Sequence, residues 1–279
     1  MALTFREVKS YSDKVKSVIG KAESDLASQI ASSGGDSSRV MYRLRSLADK
    51  YGAPMQELGA QWYEFCAQKA GVDVENAIIG ELDYGDLESR AESILEDYAD
   101  GDITWEQAQA SIGDAFGEAL RGYERDVINS NLDRDARQER RRYRQTDRAA
   151  AKAGWCRVPV GETCAWCLML ASLGYYYRSK ETALGIEPDH YHAHCDCIAV
   201  PYNGPEAIEG YDDYEMYFDM YATARDTYND GNYSPEMSNR IEAAREKHEA
   251  DYRAGRTNTR WTDTNAIMMI MRDQQGLEH

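Results

Sequence analysis

The sequence predicts a mainly α-helical fold carrying one small α+β module, and three observations support that division. Apolar residues recur at helical spacing over most of the 279 residues. Short runs rich in valine and tyrosine, bounded by glycine and proline, concentrate between residues 154 and 203. Between Cys164 and Cys197 lie four of the six cysteines and three of the five histidines. The expected parts are a helical N-terminal domain over residues 1–150, the module over 151–204 and a helical tail over 205–279.

In the first part, Val15, Val18, Ile19, Ala22, Leu26 and Ile30 keep one helical face until the polar run from Ser32 to Ser38 breaks it. Val40, Leu44, Leu47 and Tyr51 predict a second helix that stops near Gly52. Pro54 then suits a first helical turn, where its missing N–H is no loss, and opens a third helix with Leu58, Trp62, Phe65 and Cys66. A helix starting near Asp86 carries Leu87, Ile94 and Tyr98 and ends at Asp100-Gly101. Thr104-Trp-Glu-Gln107 matches a capping box ahead of Ala108, Ile112, Phe116 and Leu120. Core packing accounts for all of these stripes. Cys66 and Cys156 read as buried core thiols.

In the module, Cys156 to Val160, Gly174 to Arg178 and Cys197 to Tyr202 read as strands. Leu168, Leu170 and Leu173 predict a short helix over Cys164 to Leu173. The tail returns to helix after Pro205, with an aromatic stripe of Tyr214, Tyr217, Phe218 and Tyr221, then a charged stretch from Pro235 to Arg253. A last helix holds Ile267, Met268, Ile270 and Met271, capped by Thr262, Asp263 or Thr264. Its apolar face fits either docking on a partner or packing back on its own domain. Leu277-Glu278-His279 reads as the remnant of an affinity tag.

Charge narrows the function classes. The chain has 32 basic and 49 acidic residues, a formal net charge of -17 and a mean hydropathy of -0.70. Such a chain repels nucleic acid overall, so DNA contact needs a local basic surface. One candidate runs from Arg134 to Arg157, with nine basic residues against three acidic ones. Arg137, Arg140, Arg141, Arg144 and Arg148 are the candidate phosphate contacts, and they equally fit a solvated helix paired with the chain's own acids. Little aromatic interleaving argues against base readout. No apolar run approaches the roughly 20 residues of a membrane span. The start, Met1-Ala-Leu-Thr-Phe-Arg-Glu-Val8, has no apolar core of a signal peptide.

The sharpest chemical signal is Cys164-Ala-Trp-Cys167 followed by His192-Ala-His194-Cys195-Asp-Cys197. Thiolates and imidazoles at these spacings converge on one tetrahedral metal, and the absence of an export signal favours metal over disulfides. Zinc needs four ligands, and six candidates are present: Cys164, Cys167, His192, His194, Cys195 and Cys197. A thiolate-rich, filled sphere marks a structural zinc, whereas a catalytic one keeps a position open for water. A zinc deaminase is excluded by ligand order, because no H-x-E precedes the C-x-x-C and the first histidine is His190. A redox pair at Cys164/Cys167 leaves the second arm unexplained. The remaining enzymatic alternative is a metal-dependent hydrolase or nuclease with an open site beside Asp189 or Asp196. No phosphate-cradling glycine loop is present.

The segment from Cys164 to Tyr177, then Tyr191-His-Ala-His-Cys-Asp-Cys197 and Val200-Pro201, resembles the phage Mu protein F-like minor capsid family of head-morphogenesis proteins. On that pattern Cys164, Cys167, His192, Cys195 and Cys197 are the matching metal positions and His194 is variable. The N-terminal part, including Leu58-Gly-Ala-Gln-Trp62-Tyr63, resembles actinobacterial-phage versions. The resemblance implies a non-enzymatic minor head protein in the virion or the host cytoplasm. It implies action in procapsid assembly, DNA packaging or delivery, with portal, major capsid or scaffolding protein as partner. A structural zinc and non-specific DNA contact complete the expectation.

Overall fold

The computed structural model describes residues 2–143, 154–161, 164–172, 174, 197–254 and 260–277, without the side chains of 139–143. A two-residue strand β1 (Leu3–Thr4) leads into helix α1 (Phe5–Ile30). Thr4 starts α1 with a capping box: its hydroxyl accepts from the Glu7 N–H at 3.3 Å, and the Glu7 carboxylate accepts from the Thr4 N–H at 2.9 Å. The buried face of α1 takes in the predicted Val15, Ile19, Ala22, Leu26 and Ile30, extends back to Val8 and Tyr11, and leaves the predicted Val18 half-buried. Asp36 caps α2 (Ser37–Ala70) by accepting from the Arg39 N–H at 3.0 Å, and Gly71 ends it in the left-handed conformation.

The expected break at Gly52 and restart at Pro54 are not found, because α2 passes unbroken through both residues. Pro54 lies on the exposed face, where the carbonyl it leaves unpaired can meet solvent. The opposite face buries Leu44, Leu47, Tyr51, Met55, Trp62, Tyr63 and Cys66. That burial outweighs the roughly 3 kcal/mol local cost of an interior proline. Gly52 serves close packing rather than termination: a Cβ there would stand 2.8 Å from a Leu82 methyl.

Helix α3 (Gly85–Asp100) ends at left-handed Gly101, and α4 (Trp105–Tyr143) begins at the expected Thr104 box. The Gln107 side-chain oxygen accepts from the Thr104 N–H at 2.8 Å, while the Thr104 hydroxyl accepts from the Gln107 N–H at 3.2 Å. Helices α1 to α4 pack together, with α2 against α4 as the largest helix contact. Strand β2 (Trp155–Pro159) pairs antiparallel with β3 (Cys197–Pro201), placing Arg157 opposite Ala199 and Pro159 opposite Cys197. Helix α5 (Ala165–Ser172) packs on β2. The strand expected over Gly174 to Arg178 lies outside the described residues except for Gly174.

After Pro205 the chain does not become helical at once. A 3₁₀ turn (Pro205–Ala207) leads to β4 (Ile208–Glu209), which pairs parallel with β1. Pairing of the two ends is invisible to periodicity, since each strand is two residues long. Helix resumes at α6 (Tyr214–Asn229), α7 (Pro235–Arg253) and α8 (Asp263–Gln275). Thr262 caps α8, its N–H donating to the Asn265 side-chain oxygen at 3.0 Å. The last helix packs back on its own chain: Ile267, Ile270 and Met271 join Ala165, Leu168, Ala224 and Met237 in a small second core.

The main core takes residues from α1 to α4 and also Trp155, Cys156, Val158, Met169, Leu170, Ile198 and Val200. The helices and strands expected of an α+β module are therefore packed directly into the bundle. The expected boundary near residue 150 falls outside the described residues.

Candidate metal centre

Helix α5 begins just after Cys164, so Cys164 and Cys167 lie one turn apart at its start. The Cys164 sulfur accepts from the Cys167 N–H at 3.4 Å. β3 begins at Cys197, and its thiol lies 3.3 Å from that of Cys167. The three are 6%, 1% and 1% exposed, and all are free thiols. A sulfur separation of 3.3 Å is far from the roughly 2.05 Å of a disulfide. It is nearer the edge of about 3.8 Å that two thiolates span on a tetrahedral zinc with bonds of about 2.3 Å.

Two buried guanidinium groups converge on Cys197. Arg157, on β2 and 3% exposed, donates from Nη1 to the Cys197 sulfur at 3.3 Å while lying over the Trp155 ring. Arg125, on α4 and 4% exposed, donates from Nη2 to the Cys197 carbonyl at 3.2 Å. Trp62, on α2, donates its indole N–H to the Ala199 carbonyl at 2.8 Å. From sequence, Arg157 reads only as the end of the basic strip and Trp62 only as a core aromatic, and Arg125 carries no reading of its own. One signal was available: Glu124 interrupts the apolar stripe of Ile112, Phe116, Leu120, Ile128 and Leu132 at its own four-residue spacing. Glu124 is buried and accepts from the Tyr11 hydroxyl at 2.5 Å. Burial pushes its carboxyl above the usual range, more than Arg125, the Tyr11 hydroxyl and Arg121 pull it down.

Of the expected ligands, Cys164, Cys167 and Cys197 come together, whereas His192 and Cys195 lie outside the described residues, as do His194, Asp189 and Asp196. Among the described residues no group of three or more His, Cys, Asp or Glu side chains has the geometry to hold a metal. In donor type, though not in geometry, the described residues offer what a soft metal takes: three buried free thiols, with an N–H on one sulfur and a guanidinium on another. Cys66 and Cys156, both 0% exposed, are the buried thiols the sequence predicts, and burial pushes both thiol pKa values up.

A family model described as VG15 protein matches residues 4–224. The chain belongs to the VG15 protein family. This is a viral protein family, which fits a phage origin. No curated protein and no solved structure matches the chain. The match takes in α1 to α5, both arms of the cysteine cluster and the first two-thirds of α6, and it stops before α7 and α8. Among the described residues of this VG15 chain, no helix is long and apolar enough to cross a membrane.

The arginine-rich stretch divides between inward and outward side chains. Arg134 turns inward, bonding Asp135 and the Tyr63 hydroxyl at 3.1 Å and the carbonyls of Glu75 and Asn76 at 3.2 and 3.1 Å. Asp135 also accepts from the hydroxyls of Tyr63 and Tyr202. Tyr202 has a φ of 60°, the one left-handed non-glycine among the described residues, held there by Asp135 and by its N–H on the Gly154 carbonyl at 2.8 Å. Arg137 points outward, 73% exposed and 3.9 Å from Asp133. Arg140 and Arg141 lie on α4 with undescribed side chains, and Arg144 and Arg148 lie outside the described residues. A cavity of about 350 Å³, with none of the three thiols in its lining, lies between α2, α4 and the irregular segment 72–84, lined by Gln56, Ile78, Asp83, Tyr123 and Asn131.

Proposed function

We propose that this chain is a minor head protein of a phage particle, acting in procapsid assembly, DNA packaging or delivery near the portal, and stabilised by a structural zinc. The observation that carries the reading is the burial of the thiol cluster: three cysteines no more than 6% exposed, grouped at the start of α5 and of β3. Such a site holds a fold together, whereas a hydrolytic zinc needs an open position. Cys164, Cys167 and Cys197 would supply thiolates, with His192 or Cys195 completing the sphere. The head role is supported by membership of a viral family and by the likeness of residues 164–201 to Mu protein F-like minor capsid proteins. The partners proposed are portal, major capsid or scaffolding protein. Arg137, Arg140, Arg141, Arg144 and Arg148 are proposed for non-specific phosphate contact, with the steep salt dependence that counterion release imposes.

The test is co-expression with the portal and procapsid proteins of the same phage, followed by affinity capture and sedimentation, with metal analysis of the pure chain. The reading expects a complex and one zinc per chain. Cys164→Ser and Cys197→Ser should each lose zinc and melting temperature together. A chain that sediments alone beside assembled procapsids refutes the head role. Full zinc retention in both cysteine variants refutes the site.

A further inference from the structure

A zinc held by three thiolates and one imidazole carries a net charge of -1, and one held by four thiolates carries -2. Sinking such a charge into a core is costly unless nearby cations offset it. Cys197 is the cysteine on which two buried cations meet, one on its sulfur and one on its main-chain carbonyl. A guanidinium N–H donates far better to a thiolate than to a neutral thiol, which is a weak acceptor.

We infer that Arg157 and Arg125 are positioning residues of the metal site: Arg157 offsets the charge of the bound thiolates through the Cys197 sulfur, and Arg125 fixes the same cysteine through its backbone. The inference rests on the structural-zinc reading and deepens it. The two arginines divide the task by element. Arg157 sits on β2 opposite Ala199, two residues along the antiparallel pair from Cys197, with its guanidinium over the Trp155 ring at 5.5 Å. Arg125 reaches from α4, so the long helix that runs through the bundle also sets where the first residue of β3 lies.

The test is titration of the full chain with zinc against a competing chelator, and separately with cobalt(II), read by its sulfur-to-metal charge-transfer band. Arg157→Met, similar in length but without charge or donor, should weaken zinc binding about 10- to 100-fold. It should also move the cobalt band to lower energy, because the sulfur loses a hydrogen bond. Arg125→Met should weaken zinc less, by up to about tenfold, and leave the band in place, because Arg125 touches carbonyl and not sulfur. A purely structural arginine would not split the two readouts in this way. Wild-type affinity and an unmoved band in Arg157→Met overturn the inference. If Arg157→Met does not fold, Arg157→Gln decides: a loss of about tenfold supports the charge role, and affinity within about twofold of wild type overturns it. A wild-type chain that takes up neither metal refutes the zinc reading itself, an outcome distinct from equal binding by wild type and variant.

Discussion

Gly59→Ala should destabilise the protein, against what helix propensity alone predicts. Inside a helix the change normally gains about 1 kcal/mol. At Gly59, however, the new Cβ would stand 2.4 Å from the carbonyl oxygen of Glu124 and 3.3 Å from its Cα. These are backbone atoms of α4, so no side chain can swing aside. Restoring ordinary contact near 3.4 Å requires α2 and α4 to part by about 1 Å at their crossing. The parting would disturb the largest helix contact in the fold and the buried bond between Glu124 and Tyr11. Overpacking of this kind costs about 1–3 kcal/mol, and a rigid backbone obstacle belongs at the upper end. Subtracting the propensity gain leaves a net loss of about 2 kcal/mol, or about 4–8 °C in melting temperature at roughly 2–4 °C per kcal/mol. Gly20→Ala, on exposed α1 with nothing within 4 Å of its Cβ, is the control and should gain about 0.5–1 kcal/mol. Calorimetry of the two variants beside wild type measures both. A Gly59→Ala chain as stable as Gly20→Ala would refute the close crossing of α2 and α4.

Three further outcomes are expected. Burial raises the Glu7 carboxyl, but the Lys69 ammonium at 2.6 Å and the Thr4 N–H and hydroxyl outweigh it and hold Glu7 below its ordinary value of 4.5. A depressed acid stabilises the fold above its unfolded pKa, so Glu7→Gln should cost up to about 1 kcal/mol at pH 7, and the deficit should vanish as pH falls from about 4.5 through the lowered value. Melting curves across that range check it, and a deficit that persists in acid contradicts it. Trp62→Phe strips the donor from the buried Ala199 carbonyl and should cost about 1–3 kcal/mol in urea unfolding, with faster amide exchange along β3. Tyr63→Phe and Tyr202→Phe each remove a hydroxyl from the same Asp135 oxygen, so their double-mutant cycle should show a coupling of about 0.5–3 kcal/mol, where strict additivity would count against a shared acceptor.

Most helices could be read from the sequence because their signals are local: one apolar face per turn, the Thr104-Gln107 box, Gly101 after α3 and Thr262 before α8. The same locality misled at Pro54, where a strong breaker is overridden by burial that only the folded chain supplies. The pairing of Leu3-Thr4 with Ile208-Glu209 has no local signature at all. Of the five positions that the cysteine spacing picks out, Cys164, Cys167 and Cys197 share one buried cluster, and His192 and Cys195 lie outside the described residues. The spacing could not name Arg125 or Arg157, because an arginine's partner lies far away in sequence: 72 residues separate Arg125 from Cys197. Arg134 shows the converse. Counted with its neighbours it looks like part of a basic strip, yet its guanidinium is spent on Asp135, Tyr63 and two carbonyls.

The join between the cysteine arm and the helices bears on how any loss of assembly should be interpreted. β3 has β2 on one side, and its other edge would lie open to pairing with a foreign strand. The carbonyls of Cys197 and Ala199, two residues apart and so on one edge, instead accept from Arg125 of α4 and Trp62 of α2. Two helices thus stand where a third strand would, and Asn203 extends the join by donating to the Cys66 carbonyl at 3.1 Å. Order at the thiols and order in the bundle are therefore coupled: whatever holds Cys197 in place also keeps those helix side chains satisfied. A cysteine variant that fails to enter procapsids would expose the β3 edge and loosen α2 and α4 together. Its failure would count against a partner contact only if its melting curve and amide exchange in α2 and α4 matched wild type, which the coupling predicts they will not.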